Sequence, residues 1–115
     1  MTQKMMVPHP IPEALAEMIA RRFRVLGDPT RLRILDTLRD GALSVGELAD
    51  STGCSQQNVS KHLGVLHDAT LVARERIGTQ ARYSIADPAV FELCEHVCGG
   101  LRRNLDDLDQ LLPGG

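Results

Sequence analysis

The segment SQQNVSKHLGVLHDA, Ser55 to Ala69, follows a tight Thr52-Gly53-Cys54 corner. Val59, Leu63 and Leu66 follow the 3.6-residue period of one buried helical stripe. The other faces carry hydrogen-bonding groups and are free of acids until the last turn. Such a helix suits insertion into the DNA major groove, whose base edges need donors and acceptors. Taken alone, an ordinary solvated helix face fits the segment equally well.

Three helices are predicted before this segment, two of them from capping signals. Ser44-Val-Gly-Glu47 is a capping box that opens a short helix ending near Thr52. Asp28-Pro29 is typical of an N-cap followed by proline at the first helical position, with a helix running until Gly41. A first helix should start near Glu13. Its apolar stripe comprises Leu15, Ile19, Phe23 and Leu26.

A β-hairpin is predicted after the central segment. Leu71–Ile77 and Ala81–Ile85 are strand-like runs separated by the Gly78-Thr79 turn. A short helix, a corner, a polar helix and a basic hairpin in this order predict a winged helix-turn-helix, mostly α with a β-hairpin wing. We expect three arginines to share one face of the wing: Arg74, Arg76 and Arg82.

Asp87-Pro88 repeats the cap-and-proline start and opens a last helix with a coiled-coil-like apolar seam. The partner of this seam could be the first helix, the same helix of a second chain, or both. A homodimer also suits the reading of a palindrome by two recognition helices. We therefore predict a flexible tail over 1–12, one domain over 13–112 and a tail over 113–115. The seam comprises Phe91, Cys94, Cys98, Leu101, Leu105, Leu108 and Leu112.

Composition places the chain among single-domain proteins without membrane segments. Its 115 residues carry a net charge of −2, but residues 21–39 hold six arginines against two aspartates. Such local basic charge permits a surface that meets phosphate. The N-terminus lacks an apolar run, so neither signal peptide nor membrane span is expected, and a cytoplasmic location follows. Three cysteines, an odd number, favour free thiols over a disulfide framework.

Five motifs together resemble the ArsR/SmtB family of winged-helix repressors, over about residues 15–100. They are LGDPTRLRIL from Leu26, SVGEL from Ser44, SQQNVSKHL from Ser55, Leu71-Val72, and GTQARY from Gly78. The resemblance implies a homodimer through the first and last helices, which binds double-stranded operator DNA. It also implies release of the operator when an inducer binds, often a metal ion or metalloid.

The resemblance also implies DNA contacts at matching positions of this chain. His62 has an alternative interpretation, partial burial beside Leu63. The groove and phosphate contacts would be Ser55, Gln56, Gln57, Ser60, Lys61 and His62. The wing contacts would be Arg74, Arg76, Gln80 and Arg82.

Two familiar sensor patterns of the family are absent. An arsenic-type Cys-x-Cys pair in the third helix would fall on Ala49 and Ser51. The zinc-type pattern on the last helix would need histidines near Ala89 and Gly100 and another ligand near Arg103, and only Asp87 matches it. The identity of the inducer therefore depends on other residues.

The cysteines are the remaining metal ligands. Cys94 and Cys98 lie one turn apart on one helical face, so both sulfurs can converge on a soft ion. Family members that hold arsenic(III) on cysteines of this helix make As(III) the best candidate. Cys54 could supply a third thiolate, or both chains of a dimer could contribute Cys94 and Cys98. The pair could instead fill an apolar seam.

Three rival functions stay open. A thiol redox or persulfide sensor would use Cys94 and Cys98 without metal, although a disulfide within one helix is strained. A dithiol oxidoreductase is disfavoured because Cys-x-x-x-Cys lacks the Cys-x-x-Cys spacing at a helix start. No Ser/His/acid set or Gly-rich phosphate loop is present, so no enzyme is predicted. A pure dimerisation module would explain the seam but neither the hairpin nor the polar helix.

Overall fold

The computed structural model describes residues 7–105 and 111–112. The chain divides into two compact units, Met1–Ile85 and Ala86–Gly115, which we describe separately. The first unit is a winged helix-turn-helix and confirms the predicted fold. The elements are α1 (Glu13–Leu26), α2 (Pro29–Thr37), a 3₁₀ turn (Leu38–Asp40), β1 (Leu43–Ser44), α3 (Val45–Thr52), α4 (Gln56–Asp68), β2 (Val72–Ile77), β3 (Gln80–Ile85) and α5 (Ala89–Asn104).

The two helix caps predicted in the first unit are both present. The Asp28 carboxylate accepts from the backbone N–H groups of Thr30 at 2.8 Å and Arg31 at 3.1 Å. Around α3, the N–H of Glu47 donates to the Ser44 hydroxyl at 3.2 Å, and the N–H of Ser44 donates to the Glu47 carboxylate at 2.9 Å. These bonds satisfy backbone donors that the first helical turn leaves unpaired, which fixes where α2 and α3 begin.

Aliphatic side chains from α2, α3 and α4 form the core of the first unit. The predicted stripe of α4 is confirmed, because its three apolar residues are fully buried. Burying one such side chain stabilises the fold by about 1.5–3 kcal/mol. The largest fully buried side chains are Ile34, Leu35, Leu38, Leu48, Val59, Leu63, Leu66 and Leu71.

The wing is a three-stranded antiparallel sheet in the order β1-β3-β2. The predicted hairpin is confirmed: Ile77 pairs with Gln80 across the Gly78-Thr79 turn. Gly78 has a φ of 66°, a left-handed conformation that favours glycine in such a turn. Strand β1 was not predicted, because two residues are too few to produce a periodic pattern.

In the second unit, α5 is shorter than predicted. Asp87 accepts from the N–H of Ala89 at 3.1 Å at the start of the helix. The prediction that the helix continues to Leu112 is wrong, because it ends at Asn104 and Leu105 is extended, with φ −127° and ψ 106°. Aspartates at 106, 107 and 109 follow, and negative charge at a helix C-terminus opposes the helix dipole. Leu108 lies outside the described residues. No helix in the described ranges is long and apolar enough to span a membrane.

Candidate DNA-binding surface and thiol pair

The corner between α3 and α4 is held by a left-handed glycine and by one arginine. Gly53 has φ 76° and ψ 13°, and its N–H donates to the Ala49 carbonyl at 2.9 Å. The buried Thr52 donates its hydroxyl to Leu48 at 2.7 Å, and the Thr52 carbonyl accepts from Arg33 at 2.9 Å. This role of Arg33 was not predicted, since nothing in the sequence pattern distinguishes it from the other arginines of 21–39. This corner sets the direction in which α4 leaves α3.

The first turns of α4 present polar groups to solvent. The Ser55 hydroxyl caps the helix by accepting from the N–H of Asn58 at 3.0 Å. An open cleft of about 450 Å³ lies beside this start and is lined partly by Cys54. A helix N-terminus carries partial positive charge, which favours nearby phosphate. Five of the six predicted contacts on α4 are exposed: Ser55, Gln56, Gln57, Ser60 and Lys61.

His62 does not share this exposed face. Its side chain is buried, and the residue is only 8% exposed. The ring nitrogen Nδ1 lies 3.1 Å from a terminal nitrogen of Arg31. The structure therefore matches the alternative interpretation, burial beside Leu63, and disfavours a direct contact between this imidazole and DNA.

The register of the wing separates the three arginines. Arg74 pairs with Tyr83, and Arg76 pairs with Ala81, whereas Arg82 pairs with Glu75. Residues directly opposite on antiparallel strands share a face, and neighbours along a strand alternate between faces. The prediction that all three arginines share one face is therefore wrong. Arg74 and Arg76 lie together on one face, and Arg82 lies on the other with Gln80.

Arg82 is occupied inside the molecule. One terminal nitrogen donates to the Ala42 carbonyl at 2.8 Å and lies 3.3 Å from the Glu47 carboxylate. The pKa of Glu47 is lowered, first by the hydrogen bond from the N–H of Ser44 and then by the positive charge of Arg82. Arg74, Arg76 and Gln80 are exposed, and none has a partner among the described residues.

The arginine-rich stretch 21–39 also has internal roles. Arg22 donates to the Ala69 carbonyl at the end of α4, at 2.9 Å. Arg31 donates to the Val25 carbonyl of α1 at 2.6 Å and lies against His62 of α4, and Arg33 donates to the Thr52 carbonyl of α3. Half of the six arginines thus hold helices together, so the stretch is not simply a phosphate-binding surface.

The three cysteines are free thiols. Cys94 is exposed and Cys98 is half-buried, and both lie within the continuous helix α5. One helical turn places their Cβ atoms about 5–6 Å apart on one face. Cys54 is half-buried, with its Sγ 3.9 Å from the Thr52 carbonyl. Among the described residues, no three His, Cys, Asp or Glu side chains are grouped to hold a metal ion. A third thiolate from Cys54 stays a prediction.

Comparison with known proteins identifies relatives across most of the chain. Residues 26–75 match a helix-turn-helix domain family. Rv0081 of Mycobacterium tuberculosis strain H37Rv, an HTH-type transcriptional regulator, is 41% identical over 108 residues, or 90% of this chain and 95% of that protein. Its crystal structure superposes with a TM-score of 0.73 and 40% identity, covering 84% of this chain and 97% of the other.

Two further relatives carry more specific names. A probable mercury resistance operon repressor of Streptomyces lividans is 40% identical over 83 residues; the match spans 72% of this chain but only 66% of that protein. A solution structure from Mycobacterium bovis is described as the homodimeric winged helix-turn-helix DNA-binding domain of a possible ArsR-family regulator. It has a TM-score of 0.69 and 33% identity, covering 82% of this chain and 87% of the other.

Proposed function

Since the chain belongs to the ArsR/SmtB family of winged helix-turn-helix transcriptional regulators, we propose that it is a repressor released from its operator by a thiophilic ion. The proposal has three parts: a DNA-binding face on α4 and the wing, a homodimer, and an inducer site at the cysteines of α5. Each part depends on a different group of residues and can fail independently of the others.

The exposed polar face of α4 is the observation that carries DNA binding. Gln56, Gln57 and Ser60 offer both donors and acceptors, as base edges in the major groove require. Lys61 adds a positive charge for phosphate. Arg74 and Arg76 share one exposed face of the wing, where they would meet the flanking backbone. A buried or apolar surface on α4 could not make such contacts with DNA.

Exposed apolar side chains on the first and last helices support a homodimer. Met18 and Phe23 of α1 are 60% and 55% exposed. On α5, Val97 and Leu101 are 54% and 44% exposed. Large apolar residues clustered on exposed helices often mark protein interfaces. A second copy would cover these side chains and place two α4 helices for one palindromic operator.

The thiols of Cys94 and Cys98 are the proposed inducer ligands. Thiolate sulfur selects soft or thiophilic ions over hard ones, and As(III) is the candidate we favour. The name of the Streptomyces relative, a probable mercury resistance repressor, supports the same chemical class. Two thiols supply only part of the ligand set of such a site. A third ligand would come from Cys54 or from the α5 cysteines of a second chain.

The helical geometry favours an ion over a disulfide at this pair. A disulfide needs Cβ atoms about 3.5–4.5 Å apart, whereas neighbours one turn apart in a helix are separated by about 5–6 Å. An intrachain disulfide would therefore distort α5 in its middle. A bound ion can bridge the longer separation through two metal–sulfur bonds, each about 2.3 Å long for zinc.

Release would follow from a shift in dimer geometry. An ion that ties the α5 cysteines together, or ties them to Cys54, would favour an arrangement in which the two α4 helices miss the half-site spacing. The coupling free energy in allosteric proteins is typically about 1–3 kcal/mol. Affinity for the operator would then fall by roughly 5–150-fold.

Titration of the reduced protein tests this proposal. The operator is first selected from random DNA, and its affinity is then followed while As(III), Sb(III), Cd(II), Zn(II) or Hg(II) is added. We expect thiophilic ions to weaken operator binding and to consume two or more titratable thiols per chain. Release by oxidant alone, reversed by dithiothreitol and insensitive to arsenite, would support the redox sensor instead. A failure of every ion and oxidant would contradict an inducer site at the thiols.

A further inference from the structure

One partly buried side-chain pair joins the recognition helix to the preceding helices. His62 lies in the middle of α4, and its Nδ1 is 3.1 Å from the Arg31 guanidinium. A guanidinium has only donors, so Nδ1 is the acceptor in this contact. The ring is thus oriented by a charge-assisted hydrogen bond on its buried side.

The same guanidinium reaches the end of α1. Its Nε donates to the Val25 carbonyl at 2.6 Å, and a terminal nitrogen donates to the Arg24 carbonyl at 3.4 Å. The backbone N–H of Arg31 meanwhile donates to the Asp28 cap. One residue at the start of α2 therefore bonds to the last turn of α1 and to the centre of α4.

A second contact joins α1 to the C-terminal end of α4. Arg22 donates to the Ala69 carbonyl at 2.9 Å. The recognition helix is consequently held at its middle and at its C-terminal end by arginines of α1 and α2. Apolar packing against the core adds no such directional constraint, because hydrophobic contacts are non-directional.

We propose that Arg31 and His62 are a positioning pair that fixes the orientation of α4 relative to the end of α1. The inference rests on the proposed DNA-binding function and assigns His62 a different role within it: the imidazole orients the groove-facing residues and does not touch DNA. Because α1 also carries exposed apolar residues of the proposed dimer interface, the pair connects the geometry of the dimer to that of the recognition helix.

Loss of the acceptor should weaken operator binding without removing a phosphate contact. Without the acceptor, α4 leaves its binding orientation for part of the time, and the apparent affinity falls with the fraction that keeps this orientation. We expect His62→Leu to lower operator affinity about tenfold. His62→Asn places an amide oxygen close to the position of Nδ1, and it should bind within about threefold of wild type. His62→Gln carries the same amide group farther from the backbone and should not restore affinity.

Salt dependence separates positioning from direct contact. Each lost phosphate contact lowers the slope of log affinity against log salt by about one. Lys61→Ala, the matched control on the neighbouring exposed residue, should show this change. His62→Leu should keep the wild-type slope while losing affinity for every single-base variant of the operator alike. Loss of discrimination at one base pair would instead identify a base contact.

The experiment measures operator affinity over a salt series for wild type, the three His62 variants and Lys61→Ala. Circular dichroism and sedimentation verify the fold and the oligomeric state. If His62→Leu does not fold, the comparison of the Asn and Gln variants still decides the question, and equal affinities would overturn the proposal. A slope change in His62→Leu would also overturn it. Absence of specific binding by wild type would contradict the proposed function itself, not the positioning pair.

Discussion

Arg82 of the wing lies 3.3 Å from the Glu47 carboxylate in the capping box of α3. The same carboxylate accepts the backbone N–H of Ser44, and Arg82 also donates to the Ala42 carbonyl. The middle strand of the wing is thus tied to the start of the helix-turn-helix. Through these bonds the wing face that bears Arg74 and Arg76 is oriented relative to α3.

Arg82→Ala should loosen the wing without deleting a phosphate contact. The ion pair is partly exposed, so we expect its loss to change the stability of the fold little. Operator affinity should fall while its salt slope stays at the wild-type value. Arg76→Ala is the control from the opposite face and should lower that slope by about one. An equal slope change in both variants would show that Arg82 contacts phosphate.

The N-cap of α2 should make stability depend on pH in the acid range. The pKa of Asp28 is lowered, chiefly because the N–H of Arg31 donates to its carboxylate. Folding therefore favours the ionised form, so its contribution is complete at neutral pH and is lost as pH falls through the lowered pKa. In wild type the unfolding free energy should decrease as pH falls below about 4, near the reference aspartate pKa. In Asp28→Asn this decrease should be smaller.

Controls for the cap come from the same helix. Asp28→Ala should cost about 0.5–2 kcal/mol at neutral pH, whereas Asn is as good a cap as Asp. Asp36→Asn removes an equal charge from α2 without touching the cap and should keep the loss of stability that Asp28 causes in acid. Denaturant unfolding between pH 2 and 7 measures all three variants. An unaltered acid limb in Asp28→Asn would contradict the role assigned to this carboxylate.

Two glycines around the recognition helix should respond oppositely to alanine. Gly53 has a φ of 76°, where a side chain costs roughly 1–2 kcal/mol. Gly64 lies within α4, and a methyl group there would meet nothing within 4 Å. Gly64→Ala should therefore stabilise the protein by about 0.5–1 kcal/mol, and Gly53→Ala should destabilise it. Thermal unfolding compares them, and equal effects would argue against a strained corner.

The groove-facing residues should be dispensable for folding. Gln57→Ala combined with Lys61→Ala removes exposed groups of α4 that have no hydrogen-bond or ion-pair partner among the described residues. We expect the double variant to lose operator binding. Its dimer and its melting temperature should be the same as those of wild type. Arg39→Ala, which deletes an exposed positive charge from the 3₁₀ turn, is the control and should retain binding. Retained binding in the double variant would show that this face of α4 does not read the operator.

Local signals in the sequence predicted most of the fold. The caps at Asp28 and Ser44 are short-range chemistry that depends on residues within one turn, so the helix starts were predictable. The turn signal at Gly78 was enough to predict where the hairpin lies. The register error for Arg82 arose because strand faces alternate strictly, and a two-residue turn pairs 77 with 80. Counting outward from that turn would have placed Arg82 opposite Glu75.

The site was less predictable because its residues depend on tertiary contacts. His62 lies between Val59 and Leu66 on the buried side of α4, and its partner Arg31 is 31 residues away. No periodic pattern identifies such a partner. The role of Cys54 depends on how the thiols approach one another in the assembled protein. Neither the corner motif nor the spacing of Cys94 and Cys98 contains that information.

Operator release by arsenite in the double variant Cys94→Ser and Cys98→Ser tests the central claim most directly. We predict that arsenite weakens operator binding by wild type at least fivefold and leaves the double variant bound. Cys54→Ser, measured in parallel, tests whether Cys54 is a third ligand. If it is, the arsenite concentration needed for release should change; if it is not, that concentration should stay the same. Undiminished release of the operator from the double variant would contradict the thiol pair as the inducer site.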